Sequence, residues 1–171
     1  MNILALDPAT HCGFAHSNGA RGVWWLGSAG ADAGSRVVRF EDELYAAIEK
    51  WPIELIAFEC LHYGSKGHQA AAVRASLLGV LELVAKKNSI PLRACAISTI
   101  KLFATGSGRA QKPDMIRAAA IKLGIATLSD DEADALWILE YAKAGFPQLT
   151  ATKAKRPKRR GAKPVKEARL F

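Results

Sequence analysis

Four acidic side chains stand at positions where their types and spacing could do chemistry. Asp7 closes the apolar run "NILALD", Glu59 closes "IELIAFE", and Asp131 and Asp134 lie three residues apart in "DDEADALWILEYA". Each has an ordinary explanation. Asp7 with Pro8 starts a turn cheaply, Glu59 is a solvated strand end, and acids at a helix start gain some 0.3–1 kcal/mol apiece from the helix dipole. As a set they predict something else. Two strand-end acids meet at one rim if their strands are parallel neighbours, and open α/β sheets place their sites at such rims. Acids at i and i+3 share one face of a helix. Two carboxylates about 4 Å apart repel by about 4 kcal/mol at an effective dielectric of 20, so their convergence destabilises a metal-free fold. Hard divalent cations, Mg²⁺ with Mn²⁺ as substitute, relieve that repulsion and prefer oxygen ligands. Two such ions about 3.5–4 Å apart clamp the attacking and leaving oxygens of a phosphodiester. The expectation is therefore a two-metal hydrolytic site with Asp7, Glu59, Asp131 and Asp134 as ligands.

The elements that must hold these acids follow from local patterning. "NILALD" suits a buried central strand. "CGFAHS", Asn18-Gly19 and "RGVWWLGSA" read as a hairpin partner and a return strand. Residues 35–50 are amphipathic, with Val37, Val38, Leu44, Ala47 and Ile48 expected inside, and Trp51-Pro52 ends that helix. "IELIAFE" is a second buried strand. A long helix over 69–87 is apolar on nearly every side, which predicts burial against two surfaces, the sheet and a second subunit. "LRACAIS" is a further strand, and Ser98 to Phe103 a short helix. A Gly/Ser loop with basic residues, "ATGSGRAQK", leads to a helix with Pro113 in its first turn and Gly124 at its C-terminal cap. Ser129 and Glu132 form a capping box for the last helix, which runs to about Lys143. The order predicts an α/β fold, a mixed five-stranded sheet flanked by helices.

Composition bounds the partners. The chain has 171 residues, half of them apolar, and a net charge of +8. From Lys153 on, nine Lys or Arg stand against one Glu, so residues 1–152 are neutral, with 15 basic and 15 acidic side chains. We expect one folded body over residues 1–150 and a basic, disordered tail over 151–171. A concentrated basic arm gains affinity for nucleic acid by counterion release, which makes Lys155, Arg156, Lys158, Arg159 and Arg160 candidate DNA contacts. An odd number of cysteines without a CxxC pair, no signal-peptide pattern and no membrane-length apolar run predict a cytoplasmic or nucleoid-associated protein, of phage or organellar origin as an alternative. His11, Cys12 and His16 with Cys60 or His62 match no regular zinc spacing.

The ordered set "LALDPATHCGFA", "IAFE", "TIKLFATGSGRAQK" and "DDEADALWI" resembles the RuvC family of Holliday-junction resolvases, over roughly residues 2–143. The resemblance implies an RNase H-like fold and a Mg²⁺-dependent endonuclease that acts as a homodimer and nicks opposed strands of a four-way DNA junction. By motif it implies Asp7, Glu59, Asp131 and Asp134 as the catalytic tetrad. Lys101 and Lys112, eleven residues apart, match a functional pair flanking the Gly-rich loop. Lys112, next to Pro113 at a helix start, suits a phosphate, and Ser107 and Arg109 lie where backbone approaches DNA closely. The turn after Asp7 departs from the pattern, with Ala9 in place of glycine. His62 stands where the family has a base-contacting phenylalanine, and Tyr63 is the next aromatic able to stack on an unpaired base, an effect of about 1–3 kcal/mol.

Three other functions fit parts of this pattern. One is a nuclease of broader taste for branched DNA or RNA–DNA hybrids. A non-catalytic junction binder is disfavoured, because four acids weaken binding to a polyanion. A sugar-kinase-like ATPase wants a glycine-rich turn after the first Asp, and Ala9-Thr10-His11 stands there instead. The repulsion argument makes a prediction of its own. Asp7→Asn should raise the melting temperature without metal and shrink the stabilisation by Mg²⁺, as read in thermal melts of both proteins with and without the ion.

Overall fold

The computed structural model describes residues 1–28, 30–60, 68–125 and 128–148. His62, Tyr63 and the basic tail fall outside the described residues. Five strands and five helices follow one another as β1 (Ile3–Asp7), β2 (His11–His16), β3 (Arg21–Trp25), α1 (Ala33–Lys50), β4 (Leu55–Glu59), α2 (His68–Lys87), β5 (Leu92–Cys95), α3 (Ile97–Thr105), α4 (Lys112–Leu123) and α5 (Asp130–Lys143). They form one sheet in the order β3-β2-β1-β4-β5. The hairpin strands β1, β2 and β3 pair antiparallel, while β1–β4 and β4–β5 are parallel. This is the mixed five-stranded sheet that the patterning predicts.

Alternation along the strands sorts side chains between two cores. Leu4, Leu6, Cys12, Ile56 and Phe58 pack with Phe40 and Leu44 of α1 and Leu77 and Leu81 of α2. Ile3, Ala5, Ala15 and Ala57 turn the other way, towards Ala135, Leu136, Ile138 and Leu139 of α5. The α5 face is lined with small residues, so this helix lies unusually close to the strands. The extreme case is Gly13, where a Cβ would stand 1.9 Å from the Asp131 carbonyl oxygen. The Trp137 indole N–H donates to the Met115 carbonyl at 3.1 Å and ties α5 to α4.

Two details depart from expectation. The buried stripe of α1 runs through Arg36, Phe40, Leu44 and Ala47, while Val38 is 57% exposed. The helix is rotated because Arg36 is anchored at its start, donating to the Ser28 and Ala31 carbonyls. The histidines are dispersed: His11 lies against exposed Trp25, Cys12 is buried on the opposite sheet face, and His16 stacks on Trp51. The three cysteines are free thiols. Among the described residues no helix is long and apolar enough to cross a membrane.

The close approach at residue 13 makes a local test. Gly13→Ala should force α5 away from β2 and cost about 1–3 kcal/mol, the usual range for overpacking. Denaturant unfolding checks the loss.

Candidate active site

The parallel register of β1 and β4 pairs Leu6 with Phe58. The next residues, Asp7 and Glu59, therefore emerge side by side at the rim where both strands end. Both face the α5 side, in phase with Ala5 and Ala57, and they are only 7% and 8% exposed. Their carboxyl groups are close enough for the charge on Asp7 to oppose ionisation of Glu59.

The N-terminal turn of α5 supplies the other two acids. Ser129 accepts from the Glu132 backbone N–H, and the Glu132 side chain answers to the Ser129 backbone N–H, the expected capping box. This cap fixes where α5 begins. The bare backbone of Gly13, paired with Asp7 in the sheet, lets that first turn settle against β2. Asp131 and Asp134 are half-buried and close enough to Asp7 to act on its charge and be acted on.

Burial is the leading influence on the three perturbed acids of the site, Asp7, Glu59 and Asp134. It pushes Glu59 up to about 7, with the Asp7 charge adding to the rise and the Arg74 guanidinium opposing it. It pushes Asp134 up to about 6, with Asp7 again adding and Lys112 and Lys101 opposing. Asp7 itself is raised by burial, against the pull of Arg74. The site therefore carries more negative charge than its own cations balance.

Arg74, on α2, is the residue that sequence patterning missed. Its Nη2 donates to Asp7 Oδ1 at 2.8 Å and lies 3.1 Å from Glu59 Oε1. The one available signal was a lone cation in "QAAAVRASLLGVLELVA". The second unforeseen pair is Lys112 with Asp130, Nζ to Oδ2 at 2.9 Å. That hydrogen bond is the main reason the lysine is held above its ordinary value. Lys112 and Lys101 nonetheless lie on the acid side of α5, where their charges reach Asp134. Ser107 and Arg109 are exposed on the connection between α3 and α4.

The donor set is all oxygen, which suits a hard divalent cation rather than zinc. Asp7 and Glu59 form a ready pair. Among the described residues, however, no three such side chains converge tightly enough to hold an ion as they stand. The arrangement fits a metal whose ligands close around it on binding, since the raised carboxyl groups have an unmet need for positive charge.

No family model matches the chain. It is 33% identical over 147 residues to the crossover junction endodeoxyribonuclease RuvC of Anaeromyxobacter dehalogenans, covering 81% of this chain and 78% of that protein. To the protein of the same name from Prochlorococcus marinus it is 29% identical over 148 residues, covering 81% and 95%. Among solved structures, Thermus thermophilus RuvC in complex with Holliday junction substrate superposes with a TM-score of 0.71 at 23% identity, over 85% of this chain and 96% of that one. That likeness shows the shared fold.

The raised carboxyl groups dictate a pH dependence. Glu59 rises from 4.5 to about 7 and Asp134 from 3.8 to about 6, so folding favours their protonated forms. The stability they contribute is fully present below about pH 4 and is lost as pH rises through about 6 and 7. Thermal melts in EDTA should therefore show a lower melting temperature at pH 7.5 than at pH 5, by roughly 5 °C. Saturating Mg²⁺ or Mn²⁺ should recover most of the difference, because the cation replaces the protons.

Proposed function

The chain belongs to the RuvC family of crossover junction endodeoxyribonucleases, and from that premise we propose that it resolves four-way DNA junctions by paired symmetric nicks, acting as a homodimer. The observation that carries this reading is the buried Asp7–Glu59 pair at adjacent parallel strand ends, with Asp131 and Asp134 presented beside it by one helix turn. Four carboxylates at one rim have no use in simple DNA binding, where they repel the ligand.

In this mechanism Asp7, Glu59, Asp131 and Asp134 would hold two Mg²⁺ ions, or Mn²⁺ in their place. When bound, the ions supply Lewis acidity to the attacked phosphate and the leaving oxygen. Asp7 and Glu59 contribute the shared, rigid half of the cradle, because each is anchored in a central strand. Asp131 and Asp134, on the first turns of α5, would supply the other ligands. Lys112 exchanges its exposed partner Asp130 for the phosphate and offsets the charge that develops there. Lys101, Ser107 and Arg109 extend the contact along the strand from the α3–α4 connection. His62 or Tyr63 is assigned to an unpaired base at the junction centre. Residues 1–150 form the nuclease body, and the 151–171 arm, through Lys155, Arg156, Lys158, Arg159 and Arg160, adds affinity for any phosphate backbone.

The dimer reading rests on α2. Leu77, Leu81 and Val84 are buried against the sheet, whereas Leu83 is 50% exposed and Ala75 and Gly79 also face outward. An apolar outer face on a helix suits a second copy of the chain.

Cleavage of a synthetic four-way junction in Mg²⁺ tests the whole proposal, with linear duplex and an RNA–DNA hybrid as controls and Asp7→Asn beside the wild type. Paired nicks at symmetric positions are expected in the junction alone, with a loss of at least 10²-fold in the mutant. Equal cutting of the controls would make the protein a broader nuclease. Tight junction binding with no cutting would overturn the catalytic reading.

A further inference from the structure

We infer that Arg74 is the resident counter-cation of the active site, mutually exclusive with the divalent ion at the Asp7–Glu59 pair, and that a DNA phosphate takes the guanidinium when the ion takes the carboxylates. The inference rests on the metal-dependent nuclease reading above and deepens it.

Geometry carries the first half. A single nitrogen, Nη2, lies between the two carboxylates, 2.8 Å from one and 3.1 Å from the other. A divalent ion shared by the same two oxygens needs ligand distances of about 2.0–2.6 Å, so nitrogen and ion claim one position. Arginine does not surrender its proton in proteins. Its charge can leave only if the side chain moves.

The second half comes from what Arg74 leaves unmet. Among the described residues its buried Nε has no hydrogen-bond partner, although buried donors are nearly always paired. The guanidinium spends Nη2 on two acids and leaves Nε, its neighbour on the same edge, idle. An acceptor that meets Nε and Nη together, side by side, would satisfy the fork, and phosphate oxygens have that geometry. Nε itself is enclosed while the side chain as a whole is 26% exposed, so a ligand at the rim meets Nε once the guanidinium swings off the acids. Arg74 is thus poised between two anionic partners. Whatever draws it to DNA opens the carboxylates to metal, and by linkage metal strengthens the contact to DNA.

The test uses the full chain without DNA first. Mn²⁺ affinity is measured by electron paramagnetic resonance for wild type, Arg74→Gln and Arg74→Lys. Removing the competitor should tighten Mn²⁺ binding about tenfold in Arg74→Gln, with Arg74→Lys between the two, while the metal-free melting temperature of Arg74→Gln falls and Mn²⁺ restores it. Equal or weaker Mn²⁺ binding in a folded Arg74→Gln would overturn the proposal. The wild type gives a reading that needs no mutant to fold. The Arg74 Nε–H resonance, assigned by its loss in Arg74→Lys, should move on saturation with Mg²⁺, and again on adding four-way junction DNA in EDTA. A resonance unmoved by Mg²⁺ overturns the exchange with metal, and one unmoved by DNA overturns the phosphate half. Failure of every variant to bind Mn²⁺ would instead take down the metal-dependent reading on which this one stands.

Discussion

Parallel pairing of β1 with β4 places two carboxylates at one buried rim, and most of the surrounding structure answers that constraint. Neither acid can be moved apart from the other without breaking strand register, because Leu6 and Phe58, one residue earlier, are locked in the sheet and packed into the α1–α2 core. A slip of one residue would turn every side chain of β1 to the wrong face. Desolvation then works against ionisation of both acids, and Coulomb repulsion adds to it. The Arg74 guanidinium and the more distant Lys112 charge are two partial answers to one excess of negative charge.

The other half of the site depends on size rather than charge. A helix normally packs on a sheet at a distance set by Val, Ile and Leu side chains. Here β1, β2 and β4 present Ala5, Ala15, Ala57 and bare Gly13 to α5, which sets Ala135 against Gly13. The short distance that results brings the backbone of Asp131 onto Gly13, directly beside Asp7. Small residues on both surfaces are thus what turns an exposed helix start into a wall of the site.

The acids and their elements were legible in the sequence because both signals are local. A strand that ends on a carboxylate, and a capping box followed by DxxD, declare themselves within about ten residues. Lys101 and Lys112 entered only through the family resemblance, and the partner of Lys112, Asp130, looked like a mere helix-dipole acid. Arg74 was not legible, because its partners lie 67 and 15 residues away. An apolar helix such as α2 gives no phase to say which way its single cation points. The same loss of phase misplaced Val38: two adjacent valines suggested an inner face, and only the anchoring of Arg36 decides the rotation of α1. Gly13 was invisible for another reason, since a glycine in a strand reads as weakness until the helix above it is known.

The two cations of the site differ in how firmly they are held, and that difference orders their roles. Lys112 and Asp130 are 60% and 43% exposed in their side chains, so their ion pair is worth little in water and yields readily to a better anion. Arg74 is tied to two acids that are each about 10% exposed in their side chains, and simply withdrawing it would leave both charges buried and uncompensated. It can leave only against replacement, by protons or by a metal ion. A phosphate arriving at this rim therefore meets Lys112 as a free hand and Arg74 as a held one. Binding of DNA and assembly of the metal site become two sides of one exchange of charge partners, set by burial alone.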